Sequence, residues 1–178
     1  MKHFIAFLRA INVGGHTVKM DALREIFETL GFSSVETFIA SGNVIFDYME
    51  ADPAQIEHKI ESSLRQALGY DVATFIRTEA ELVEIARYQP FSPGQMEQAT
   101  AFNIAFLANP PGEAAQQKLQ ALTSDIDQFH THGREVYWLC RKKQSESTFS
   151  NAVLEKTLGT KSTLRGLSTV QKMAEKYG

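Results

Sequence analysis

Short apolar segments, read between glycine and proline breaks, follow one order along the first half of the chain and repeat it along the second. Phe4–Leu8 is a continuous apolar run that suits a buried strand. Leu23, Ile26, Phe27 and Leu30 fall on one helical face, and Gly31 follows as a left-handed cap. Val35–Ile39 and Val44–Phe46 read as strands about the turn Ala40-Ser-Gly-Asn43. Asp52 and Pro53 open a helix as N-cap and first residue, and Ile56, Ile60, Leu64 and Leu68 carry it to Gly69. Val72–Ile76 is a further strand, and Thr78-Glu-Ala-Glu81 is a capping-box pattern before Leu82, Ile85 and Ala86.

The second half runs likewise. Phe102–Leu107 is a strand, Asn109-Pro-Pro-Gly112 a turn and Glu113–Leu122 a helix. Ile126–Phe129 and Val136–Cys140 are strands about Thr131-His-Gly133, and Phe149–Leu158 is a helix closed by Gly159. Ser162–Leu164 is a short strand, and Ser168-Thr-Val-Gln171 is a second capping-box pattern. In each half an arginine, Arg77 or Arg165, is followed at 5, 8 and 9 residues by Leu82, Ile85 and Ala86 or by Val170, Met173 and Ala174. The expected fold is α+β: two ferredoxin-like (split β-α-β) subdomains of similar topology, related by internal duplication. The expected boundaries are 1–88 and 101–178, with 89–100 as the linker because Pro90, Pro93 and Gly94 interrupt all periodicity there.

Composition narrows the function classes. Of 178 residues, 43% are apolar and 22% charged, as in soluble globular chains. No apolar run is long enough to span a bilayer, and Arg9 interrupts the only N-terminal one, so neither a membrane anchor nor a signal peptide is expected. The single Cys140 forms no internal disulfide, which makes the cytoplasm the expected compartment. The net charge is −3. It is unevenly spread: residues 134–172 hold 8 basic against 3 acidic side chains, or +5. A basic stretch of this kind can face an anionic partner, or simply water.

Right-handed crossovers bring the loop after the first strand and the turn between the second and third strands to one end of a sheet. That gathers Arg9, Asn12, Gly14, Gly15 and Lys19 near Ser41, Gly42 and Asn43. Two cations, two amides, a hydroxyl and backbone N–H groups at a helix N-terminus make a cradle for a phosphate or carboxylate. The same residues also serve a tight turn and a hairpin. Neither P-loop nor dinucleotide-binding spacing is present. His130 and His132 share a strand face but lack further ligands of metal-site type, and no motif requires a cofactor. Cys140 ends an apolar strand and reads as an inert thiol. Arg141-Lys-Lys143 follows Tyr137 and Trp138 without the aromatic pattern of an RNA-recognition motif.

Leu8-Arg-Ala-Ile-Asn-Val-Gly-Gly15, Val18-Lys-Met20, Leu30-Gly-Phe32, Ser41-Gly-Asn-Val44 and Thr163-x-Arg165 with Thr169-Val-x-Lys172 together resemble the bacterial family known as domain of unknown function 1697. The resemblance spans nearly the whole chain. It implies a two-subdomain α+β fold and no established activity. The family usually carries Asn after the late arginine, where this chain has Gly166.

Three functions remain in view. The first is a protein that binds an anionic small molecule at the Arg9–Lys19 loop and the Ser41–Asn43 turn. The second is an enzyme acting on a phosphorylated or carboxylate substrate at that site. The third is nucleic-acid binding through 134–172, which the net acidic charge disfavours.

Overall fold

The computed structural model describes residues 1–12, 15–39, 42–50 and 52–178. Its described residues form two four-stranded antiparallel sheets and seven α-helices. They cluster into two compact units, Met1–Val83 with Lys176–Gly178, and Glu84–Glu175.

In the first unit the strands are β1 (Lys2–Leu8), β2 (Ser33–Thr37), β3 (Asn43–Tyr48) and β4 (Thr74–Thr78), in spatial order β2-β3-β1-β4. Helices α1 (Met20–Thr29) and α2 (Pro53–Leu68) supply the layer. The pleat sends Phe4, Ala6 and Leu8 to one face, where they join Phe46, Leu23, Phe27, Ile56, Ile60 and Leu64 in one core. Each such buried large side chain contributes about 1.5–3 kcal/mol. Asp52 accepts from Ala54 N–H ahead of Pro53, and Gly69 ends α2 at φ +83°, as their sequence positions anticipate.

Two carboxylates of α2 close the outer side of β4. Glu57 accepts from Ile76 N–H and Glu61 from Thr74 N–H, each at 3.0 Å. Four residues along a helix match two along a strand closely enough for both bonds to form.

The chain passes into the second unit inside α3 (Glu79–Arg87), between Val83 and Glu84. Thr78 and Glu81 form the anticipated reciprocal cap, Thr78 N–H to Glu81 at 2.8 Å and Glu81 N–H to Thr78 Oγ1 at 3.2 Å. The stretch expected as a linker carries its own helix, α4 (Pro93–Glu97), opened by a Ser92–Gln95 capping box. Strands β5 (Ala101–Phe106), β6 (Asp127–His132), β7 (Glu135–Cys140) and β8 (Thr163–Gly166) lie in the order β6-β7-β5-β8. Helices α5 (Glu113–Gln120) and α6 (Asn151–Leu158) pack Leu119 and Leu154 against Ala105, Val136 and Trp138. The terminal helix α7 (Leu167–Tyr177) buries Val170 and Met173.

Three local expectations change. Strand β6 runs on through His132, because the two histidines pair with Tyr137 and Glu135 of β7. Helix α6 starts after Ser150, whose side chain accepts from Val153 N–H. Phe149 packs instead against Trp138 and Phe129, at 4.8 and 4.5 Å between ring centroids. Helix α7 follows β8 directly from Leu167, so Ser168 lies inside the first turn and is not its cap.

Candidate functional site

At the end of β1 the chain turns at once. Arg9 N–H donates to Ala73 O at 2.9 Å, and Ala10 takes φ +53°. Leu8 N–H donates to Gly42 O at 2.8 Å, which ties the end of β1 to the residue before β3. Gly42 sits at φ +85°, and a Cβ there would stand 3.0 Å from Ile11 Cγ2 and 3.1 Å from Leu8 Cβ. Only glycine combines that dihedral with that approach. Ile11 is buried, and its carbonyl accepts from Tyr70 Oη at 2.9 Å. Asn12 Oδ1 accepts from Val18 N–H at 2.8 Å. The His16 ring stacks on Tyr70 at 3.9 Å.

Lys19 is exposed and occupies the N-cap position of α1. An ammonium cannot accept a hydrogen bond, so Lys19 leaves the first-turn amides uncapped and sets a positive charge at the positive end of the helix dipole. Asp21 lies in that first turn, with its carboxylate 3.6 Å from Arg24 Nη1.

The anticipated site residues therefore divide. Arg9 is half-buried at the base of the loop, while Asn12, Gly15 and Lys19 are exposed along it. Gly42 and Asn43 are buried. The Asn43 carboxamide donates to Phe38 O at 2.9 Å, and Phe38 N–H returns a bond to Asn43 O, so Asn43 is engaged within the fold. Gly14 and Ser41 lie outside the described residues.

The second unit holds a cluster that the sequence pattern only half reveals. Tyr88 Oη lies 2.8 Å from His130 Nε2, and its ring stacks on His132 at 3.9 Å. Tyr137 stands beside Tyr88 and donates its hydroxyl to Ile85 O at 3.0 Å. Burial, together with the neighbouring His132 charge, lowers the His130 pKa. Burial raises that of Tyr137. The histidine pair was visible at its two-residue spacing; Tyr88, in a stretch without periodicity, was not. Among the described residues no group of three or more His, Cys, Asp or Glu side chains could hold a metal ion, and no helix is long and apolar enough to cross a membrane. Arg141, Lys142 and Lys143 are exposed after β7.

No curated protein matches the chain. A solved structure, that of the conserved bacterial protein SP0830 from Streptococcus pneumoniae, is similar with a TM-score of 0.75 at 20% identity, over 99% of this chain and 98% of that one. At that identity the likeness concerns the fold. Residues 1–137 match the family model described as protein of unknown function (DUF1697). The chain belongs to the DUF1697 family.

Proposed function

We propose that the first unit binds a small anion, a phosphate or carboxylate group, at the Arg9–Lys19 loop beside the Ser41–Asn43 turn. The observation that carries this reading is Lys19 at the N-cap of α1. A cation at that position is electrostatically unfavourable alone and becomes favourable when an anion sits between it and the first-turn amides. The Val18–Asn12 and Tyr70–Ile11 bonds hold the described residues on either side of this loop in place. Arg9 stands at the base as the second cation. The protein acts in the cytoplasm in this reading, with Cys140 reduced.

The test is thermal unfolding with phosphate, sulfate or acetate against chloride at equal ionic strength. Wild type should gain melting temperature with the oxyanions. Arg9→Ala and Lys19→Ala should each lose most of that gain, because a charge-assisted bond is worth about 1.5–3 kcal/mol. Equal gains in all three proteins, or none in wild type, would overturn the reading.

We propose that each sheet with its two covering helices is a ferredoxin-like split β-α-β unit, and that the two arose by duplication, with repeats 1–88 and 101–178 joined by 89–100. The matching strand orders support this. So does register: Arg77 pairs with Ile5 and Arg165 with Ile104, and each guanidinium Nη1 donates to the carbonyl of the residue before it.

A further inference from the structure

We propose that the second unit carries a binding site for a small, neutral, flat heteroaromatic molecule with an amide-like edge, of the nucleobase or nicotinamide type, in the cavity between the 88–98 segment, β5 and the start of α7. The cavity measures about 260 Å³. That lies just below the ~300–1,000 Å³ of sites for drug-sized ligands, so the occupant is one small ring system.

Its lining sets the chemistry. Tyr88, Phe91 and Phe102 line it with aromatic rings, and Met96 adds a polarisable thioether. Phe91 and Phe102 meet edge to face at 5.6 Å between centroids. None of the lining residues is charged, which favours a neutral occupant. Gln89 and Gln171, both exposed, are the amide side chains among the lining residues. No side-chain hydrogen bond joins either carboxamide to another described residue, so each is open to water or to a ligand. Each can donate and accept, which matches the edge of an amide or a nucleobase.

The wall is built in advance. Pro90 restricts the backbone ahead of α4, Pro93 opens that helix, and the Ser92–Gln95 capping box fixes its start. Gln95 Nε2 donates to Gln128 Oε1 at 3.0 Å, which fastens α4 to β6. Tyr88 is held by His130 and His132. A segment pinned at both ends for purely structural reasons has no need of open space beneath it; preorganisation about a cavity lowers the ordering cost of binding.

The experiment is saturation-transfer NMR on the full chain with nicotinamide, adenine, toluene and benzoate. Nicotinamide or adenine should show saturable binding, toluene weaker binding and benzoate none. Met96→Trp fills the cavity from a partly exposed position and should abolish the signal. Gln171→Leu keeps the shape, removes one end of the edge and should weaken binding about 3- to 10-fold. A melting curve checks that each variant is folded; if Met96→Trp is not, Gln171→Leu and Gln89→Leu decide. Arg9→Ala should bind the rings as wild type does, which separates this site from the anion loop. Absence of saturable binding by either heterocycle, benzoate or toluene binding as well as nicotinamide, or signals unchanged in the folded variants would overturn the proposal.

Discussion

Tyr88 holds both histidines of β6 at once: its hydroxyl is 2.8 Å from His130 Nε2, and its ring lies 11° from parallel with His132. Because burial lowers the His130 pKa from its usual 6.5, the unfolded chain binds a proton there before the folded one does. Stability from this group is complete above about pH 6.5 and falls as pH drops below it, levelling once the folded pKa is passed. Urea midpoints of wild type between pH 8 and 5 should show that decline, and His130→Phe should flatten it.

Gly42 and Gly15 share a positive φ, +85° and +84°, but not a neighbourhood. Gly15→Ala meets open space and bears the left-handed penalty alone, about 1–2 kcal/mol. Gly42→Ala adds a clash with Ile11 and Leu8, so its total should reach about 2–5 kcal/mol. Denaturant unfolding of the two variants measures the difference; equal losses would mean that the turn yields freely.

Asp127 is buried and accepts from Trp138 Nε1 at 2.8 Å and from Ser147 Oγ at 2.6 Å. Asp127→Ala leaves the indole N–H unpaired and should cost about 1–3 kcal/mol. Asp127→Asn keeps an acceptor and should cost less. Trp138 is the only tryptophan, so its fluorescence reports both the local change and the unfolding midpoint.

Cys140 is fully buried, and burial pushes its thiol pKa up. Attack on a disulfide reagent needs an accessible thiolate. The native chain should therefore react slowly with a thiol-directed chromogenic reagent, and denaturant should release one fast equivalent. Rapid native reaction would show that β7 opens readily.

Much of the fold is legible because its strongest signals are local. Asp52-Pro53, Gly31, Gly69, Gly159 and the Thr78–Glu81 box act within a few residues, and each appears where its chemistry requires. The errors arise where distant groups decide. His130 and His132 stay in strand because β7 pairs with them and Tyr88 supports them, and Phe149 leaves its helix for Trp138. The loop after β1 was legible as a set of residue types, but not the division between exposed Lys19 and buried Asn43, which depends on a bond to Phe38 O. The cavity had no periodic signature at all, since prolines and a short helix build it.

The two glutamates of α2 also govern how this protein meets others. A strand at the rim of a sheet is a template onto which a foreign strand can zip, and sequences rich in Ile, Phe and Val are the most exposed to that hazard. Glu57 and Glu61 occupy two of the rim amides of β4. An incoming chain would have to displace one carboxylate for each of these two amides it bonded. The helix thus acts as a colloidal safeguard, and assembly through that rim is disfavoured from within the molecule itself.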